Sequence, residues 1–199
     1  MKNEENFLIK EENVYSGALS CRVCGWTLLV RHLSSILGED TVYVVPASCF
    51  SIIAGPYPMN SVKGTIVHTL FAAASATASR VRASLDKQGK HKSHVVVLAG
   101  DGGTFDIGLQ SLSGAASRGE NIIYICNNNG AYMNTGVQTS TATPYGAITT
   151  TSPSGKKSWP KNLVELMAAH NIPYMATASL AYLDDFREKV KKEIGRAHV

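Results

Sequence analysis

The sequence predicts an α/β fold, a doubly wound and mostly parallel sheet with crossover helices. Three observations carry that expectation. Short β-branched runs alternate with longer helical stretches along the chain. Residues 94–99 (HVVVLA), a helical stretch and residues 122–126 (IIYIC) form one βαβ unit. A glycine-rich turn, Gly100-Asp101-Gly102-Gly103, directly follows the first of those strands, where open α/β sheets bind their ligands.

The elements follow in order. Residues 41–46 (TVYVVP) read as a buried strand, and residues 64–68 as a weaker one. Residues 70–85, rich in Ala and Ser, read as a closely packed helix. Residues 104–118 place Phe105, Ile107, Leu109, Leu112 and Ala116 at helical spacing, which makes that stretch the crossover between the two strongest strands. Residues 127–161 are long, polar and full of Gly, Thr, Ser and Pro. A structureless loop of that length inside a compact domain points to function or to partner contact. Pro160 then suits the first turn of a helix reaching His170. Residues 174–178 read as a short strand, and residues 182–193 as a last helix with an Asp185–Lys189 pair and Gly195 as its stop. Residues 196–199 (RAHV) look like the opening of a further strand, so a C-terminal strand and tail are expected to be missing.

Composition bounds the function. The 199 residues are 44% hydrophobic and 17% charged, which describes one globular domain over residues 1–199 rather than a disordered chain. No apolar run approaches the roughly 18–20 residues that span a bilayer. The N-terminus is polar and acidic, unlike a signal or transit peptide. A cytoplasmic protein without membrane contact is therefore expected. The low charged fraction suggests that partners cover some surface. The net charge of +4 is concentrated at residues 87–92 and 156–161. Neither group is interleaved with aromatics in a nucleic-acid-reading pattern. Both read as solvated basic loops, with docking of an acidic partner or a phosphorylated cofactor as the alternative.

Two constellations carry chemistry. Asp101 sits in a turn whose glycines let the backbone approach a ligand, ahead of a helix N-terminus near Thr104 suited to a phosphate. No third glycine completes a Rossmann fingerprint, because Phe105 stands there, and no Walker lysine follows. Asn127-Asn128-Asn129 end the next strand, 26 to 28 positions after Asp101. Parallel strands joined by one helix bring their carboxyl ends side by side, so Asp101 and Asn129 can share one Mg²⁺ with a backbone carbonyl and diphosphate oxygens. That spacing is the thiamin diphosphate signature. The second constellation is Cys21-x-x-Cys24 with Cys49 further on, a pattern that suggests metal or cluster ligation, a structural zinc site being the competing account. Cys126, inside a buried strand, reads as a packing residue. His68 and His170 read as structural, and Trp26 and Trp159 as packing residues.

The run GDGGTFDIGLQSLSGAASRGENIIYICNNNGAYMNTGVQTSTATPYGAITTTSPSGKK resembles the β subunit of pyruvate:ferredoxin oxidoreductase, in the 2-oxoacid:ferredoxin oxidoreductase family. SCRVCGWTLLVRHLSSILG and SCFSIIAGPYPMNSVKGTIVHTLFAAASATAS resemble that family's cysteine-bearing segments, within residues 15–50 and just after. The resemblance implies a thiamin diphosphate-binding fold and oxidative decarboxylation of a 2-oxoacid, pyruvate foremost. Coenzyme A would take the acyl group and ferredoxin the electrons. It implies thiamin diphosphate, Mg²⁺ and a [4Fe–4S] cluster as cofactors. By that resemblance the cofactor is held by Gly100, Asp101, Gly102, Gly103, Asn129, Ala131, Asn134 and Thr135. Asp101 and Asn129, with the Ala131 carbonyl, would be the magnesium ligands, and Cys21, Cys24 and Cys49 three cluster ligands. The fourth cluster ligand and the glutamate that activates the aminopyrimidine are expected elsewhere, the latter on a partner α subunit. The chain departs from the family pattern at Gly130, at Arg80 and at Ala72-Ala73. Two alternatives stay open: a non-redox thiamin decarboxylase or synthase, which has no use for the cysteines, and a truncated assembly subunit without cofactor.

Overall fold

The computed structural model describes residues 9 and 11–194. Its sheet is built from β1 (Thr41–Pro46), β2 (Thr65–Thr69), β3 (His94–Gly100) and β4 (Ile123–Asn127), all parallel, in the order β2-β1-β3-β4. The predicted α/β class and the βαβ anchor are borne out. Alternation along the two central strands produces two cores, as the period of a strand requires. On one face Tyr43, Val45, Val96 and Leu98 pack with Trp26, Leu33, Phe50 and Phe186. These come from α1 (Gly25–Leu37), α2 (Cys49–Ala54) and α6 (Leu183–Ile194). On the other face Val44, Val95, Val97 and Ala99 pack with Ala74 and Ala78 of α3 (Ala74–Lys87), which also touches α4 (Leu109–Ser117). Small residues on α3 let it lie close to the sheet.

Several elements differ from the sequence reading, each for a local reason. Helix α3 starts at Ala74 instead of residue 70, because residues 71–72 form a turn first. The crossover after β3 is not one helix: a π-helical turn (Gly102–Asp106) precedes α4. Gly108 permits this, since a Cβ there would stand 2.0 Å from the Gly103 carbonyl oxygen. The helix after the long segment is α5 (Leu163–Ala168), and it starts at Leu163, after Asn162, instead of at Pro160. The Asn162 side chain accepts from the Val164 and Glu165 N–H groups, the usual work of an N-cap. Residues 174–178 form no strand; they are exposed or half-buried, so no apolar face drives them onto the β4 edge. Helix α6 runs as expected and carries the Asp185–Lys189 ion pair at 2.6 Å. The expected stop at Gly195 and the strand opening at 196–199 lie outside the described residues.

The strand order creates the crevice. From β1 the chain passes through α2 to β2 on one side, whereas from β3 it passes through α4 to β4 on the other. The segments leaving β1 and β3 therefore part, which is the switch point where such sheets bind ligands. Cys49 leaves from β1, Asp101 from β3, and Asn129 follows β4.

Candidate active site at the carboxyl ends of the strands

Asp101 is 1% exposed, immediately beyond β3. Register pairs Gly100 with Asn127, so the segment after β4 rises beside it. The inward end of the Asn129 amide lies 2.9 Å from Asp101 Oδ1 and 2.9 Å from the Ala131 carbonyl oxygen. With the amide nitrogen inward, it donates to both; with the amide oxygen inward, three oxygens face one another. The two side chains expected to meet at neighbouring strand tips do meet, and Ala131 joins them through its carbonyl.

The carboxyl of Asp101 is pushed above the ordinary range by burial, and the negative charge of Asp106 adds to this. Hydrogen bonds from the Ser140 hydroxyl and the Asn129 backbone N–H act the other way. Ser140 donates a short hydrogen bond to Asp101 Oδ2, which leaves Oδ1 to face Asn129. The carboxylate is thus held in one orientation before anything binds.

Ser140 belongs to a segment clamped by residues that the sequence reading did not single out. Lys156 is 6% exposed, and its ammonium donates to the carbonyl oxygens of Ser140 (3.1 Å), Thr141 (3.0 Å) and Thr143 (2.7 Å). Thr143 donates to the Gly130 carbonyl at 2.6 Å, tying the same segment to the loop beside Asn129. Asp106, at the end of the π-helical turn, accepts from Tyr132 Oη at 2.6 Å and from the Thr141 hydroxyl. Lys161 donates to the Phe105 carbonyl at 2.7 Å. Within the basic group at 156–161, Lys156 alone departs from the solvated reading: it is buried and spent on backbone carbonyls, whereas residues 157–161 are exposed and Lys161 reaches the Phe105 carbonyl from the surface. What the sequence did carry was the polar, Ser/Thr-rich character of residues 127–161, the composition such a mesh requires.

Two glycines of the turn are packed closely. A Cβ on Gly102 would stand 2.3 Å from the Tyr132 ring, and one on Gly103 would stand 3.0 Å from the Phe71 ring. Both glycines make room for aromatic side chains. Thr104 is fully buried, donating to the Gly100 carbonyl at 2.7 Å. Asn134 and Thr135 are exposed on the turn closed by Tyr132 and Gln138, and the Thr135 hydroxyl donates to Gln138 at 2.6 Å.

Cys49 opens α2, directly after Ser48 at the N-cap position, beside the β3 tip. Asn129 Nδ2 lies 3.9 Å from its sulfur. Burial pushes the Cys49 thiol up, and the neighbouring Cys24 and Cys21 push it the same way, so the three thiols share one region. Among the described residues, no three His, Cys, Asp or Glu side chains are gathered closely enough to hold a single metal ion. Cys126 sits on β4, where burial pushes its thiol up to about 12. His68 bonds the Gly55 carbonyl, and the two ring nitrogens of His170 bond Ser113 and Ser117, all structural contacts. Trp26 stacks on Phe50 in the core, whereas Trp159 stacks on Tyr145 at the surface, 79% exposed.

Comparison with known proteins shows the family and the fold. Residues 47–199 match the family described as "Thiamine pyrophosphate enzyme, C-terminal TPP binding domain". The chain is 50% identical over 188 residues to "Pyruvate synthase subunit PorB" of Methanothermobacter marburgensis, covering 92% of this chain and 65% of that protein. It is 45% identical over 192 residues to "Ketoisovalerate oxidoreductase subunit VorB" of Pyrococcus horikoshii, covering 92% of this chain and 62% of that protein. The fold matches a solved 2-oxoglutarate:ferredoxin oxidoreductase of Magnetococcus marinus, with 2-oxoglutarate, coenzyme A and succinyl-CoA bound, at a TM-score of 0.81. The identity there is 26%, over 96% of this chain and 64% of that one. The chain thus spans about two thirds of the length of these relatives. With a parallel sheet whose strand ends set Asp101 against Asn129, and a match reaching from residue 47 to residue 199, the chain belongs to the thiamine pyrophosphate enzyme family.

Proposed function

We propose that the chain is the diphosphate-binding β subunit of a 2-oxoacid:ferredoxin oxidoreductase, with pyruvate as the favoured substrate. The observation that carries this is the convergence of Asp101 Oδ1, the Asn129 amide and the Ala131 carbonyl at 2.9 Å in the switch-point crevice. An octahedral magnesium ion with bonds of about 2.0–2.1 Å sets adjacent ligand oxygens about 2.9 Å apart. The donor set and its spacing therefore fit Mg²⁺, with Asp101 held in place by Ser140 and by the backbone N–H of Asn129. When bound, thiamin diphosphate supplies the electron sink that 2-oxoacid decarboxylation needs. Asp101, Asn129 and the Ala131 carbonyl would hold the metal, which would neutralise the diphosphate, and the Lys156 and Thr143 contacts tie down the loop around them.

The cysteines support the redox member of the family over a decarboxylase or synthase. Cys24 and Cys21 act electrostatically on Cys49, which supports a shared region for the three thiols, although no described group of side chains is gathered to hold a metal ion. Thiolates are the usual ligands of an iron–sulfur cluster, and a decarboxylase or synthase has no use for them. Exposed Leu19, Val23, Tyr57, Met59, Leu70 and Ile148 support burial against partner subunits, among them the α subunit bearing the pyrimidine half of the site and a ferredoxin-type acceptor. No described helix is long and apolar enough to cross a membrane, which fits a cytoplasmic assembly.

The test is anaerobic co-expression with an α subunit, followed by iron, sulfide and thiamin analysis and a panel of 2-oxoacids with coenzyme A. Bound thiamin diphosphate, about four irons per β chain and acyl-CoA formation from pyruvate are expected. A complex that binds thiamin diphosphate but no iron, and decarboxylates without reducing ferredoxin, overturns the redox assignment.

A further inference from the structure

The turn at residues 140–143 spends its hydroxyls and its carbonyls on different partners. Ser140 donates to Asp101 Oδ2, and Thr143 donates to the Gly130 carbonyl at 2.6 Å, so the hydroxyls serve the candidate magnesium site. The carbonyl oxygens of Ser140, Thr141 and Thr143 converge on one atom, the Lys156 ammonium nitrogen, at 3.1, 3.0 and 2.7 Å. An ammonium has three N–H donors and no acceptor, so these three bonds use it completely. Lys156 is 6% exposed, and its backbone is pinned: its N–H donates to the Ala147 carbonyl at 3.0 Å, and its carbonyl accepts from Gly146 at 2.8 Å. Burial works against the charge there, and the Asp106 carboxylate works for it. Converging carbonyl dipoles repel one another unless a positive charge stands at their focus. Proteins take a potassium ion out of water by the same chemistry, replacing its hydration shell with backbone carbonyls.

We propose that these three carbonyls form a monovalent-cation site filled by the chain's own tethered ammonium, and that the charge in it holds the turn in the form that lets Ser140 orient Asp101. Lys156 is then a positioning residue for magnesium and diphosphate, acting through Ser140. This deepens the proposed function and rests on the reading of Asp101, Asn129 and Ala131 as the magnesium site. What the turn requires is the charge at the focus of the carbonyls, not the lysine as such. Relieved of its ammonium, the cradle should accept a free ion of similar size, potassium or ammonium, whereas tetramethylammonium is too large for it.

The test uses the co-expressed complex with Lys156→Ala, which vacates the cradle, and with Lys156→Met, which fills it without charge. Chloride salts of tetramethylammonium, potassium and ammonium are compared at one ionic strength. Calorimetry reads magnesium-dependent binding of thiamin diphosphate. Hydrogen exchange without cofactor reads residues 140–143, whose N–H groups are all bonded in the folded turn. The unchanged complex should behave alike in the three salts. In tetramethylammonium, Lys156→Ala should bind about 10–100-fold more weakly, and its turn should exchange faster. Potassium or ammonium should restore both, increasingly with the concentration of the ion, as mass action requires. Lys156→Met should show the loss without the rescue. Full binding by Lys156→Ala in tetramethylammonium overturns the proposal, as does a loss that neither small cation restores, or an equal rescue of Lys156→Met. Variants that fail to fold in every salt overturn it too, because the lysine then serves the whole fold and not the turn. An unchanged complex that never binds thiamin diphosphate with magnesium refutes the site assignment instead, and the exchange of the cofactor-free turn still decides for or against the cradle.

Discussion

Ser140 and Lys156 show how much of a binding site is made by residues that never touch the ligand. Ser140 fixes which oxygen of Asp101 faces the crevice, and Lys156 fixes Ser140 through its carbonyl. Ser140→Ala should weaken magnesium-dependent binding of thiamin diphosphate by about 10–100-fold, the usual cost of losing a partner that orients a metal ligand. Isothermal calorimetry on the complex checks this. Lys156→Met leaves three carbonyls without their donor and should cost about 1–3 kcal/mol of stability, read from urea unfolding. Asp101 and Asn129 were legible in the sequence because a glycine turn and an asparagine run each follow a β-branched run at a spacing that one helix bridges. Ser140, Asp106 and Lys156 were not, because their roles depend on how a loop of more than thirty residues folds back, and neither periodicity nor local spacing encodes that. Lys156 was misread for the same reason: a lysine in a polar run looks solvated until the carbonyls around it are known.

At the scale of elements, the π-helical turn after β3 and the α1–α6 contact deserve tests of different kinds. Gly102→Ala would drive a methyl into the Tyr132 ring and disturb the bond from Tyr132 to Asp106, so a loss of about 1–3 kcal/mol is expected in denaturant unfolding. Helix α6 is fastened to α1 by Phe186 and by Arg187, whose guanidinium meets Nδ1 of buried His32 at 3.1 Å. Burial holds the His32 pKa below its ordinary 6.5, and the Arg187 and Arg31 cations add to this, with Glu12 opposing. The unfolded chain therefore takes up a proton that the fold refuses. Stability should fall as pH drops below about 6.5, and His32→Gln should flatten that dependence; urea titrations between pH 5 and 8 compare the two. The strands were predictable because buried β-branched runs have few other uses. The break between the π-helical turn and α4 was not, since the helical spacing of Phe105, Leu109, Leu112 and Ala116 continues straight through it.

For the whole molecule, the order β2-β1-β3-β4 matters more than any single contact. It gathers the segments after β1, β3 and β4 at one edge of the sheet, so residues 49, 101 and 129 become neighbours although the sequence separates them widely. Two cores hold that arrangement from opposite faces. Phe186→Ala should cost about 3–5 kcal/mol, the usual range for emptying a buried aromatic position, and calorimetric melting measures it. The fold class could be read from alternation alone. The strand order could not, because right-handed crossovers allow the chain to step either way from β1.

The seclusion of Lys156 makes this amine a natural reporter. An acylating reagent added to the folded protein should modify the exposed lysines of residues 87–92 at once and reach Lys156 only when the surrounding loop opens. Mass spectrometry of that single peptide over time would then clock the breathing of the loop, and a slower clock after magnesium and cofactor are added would measure how far the ligand stills it.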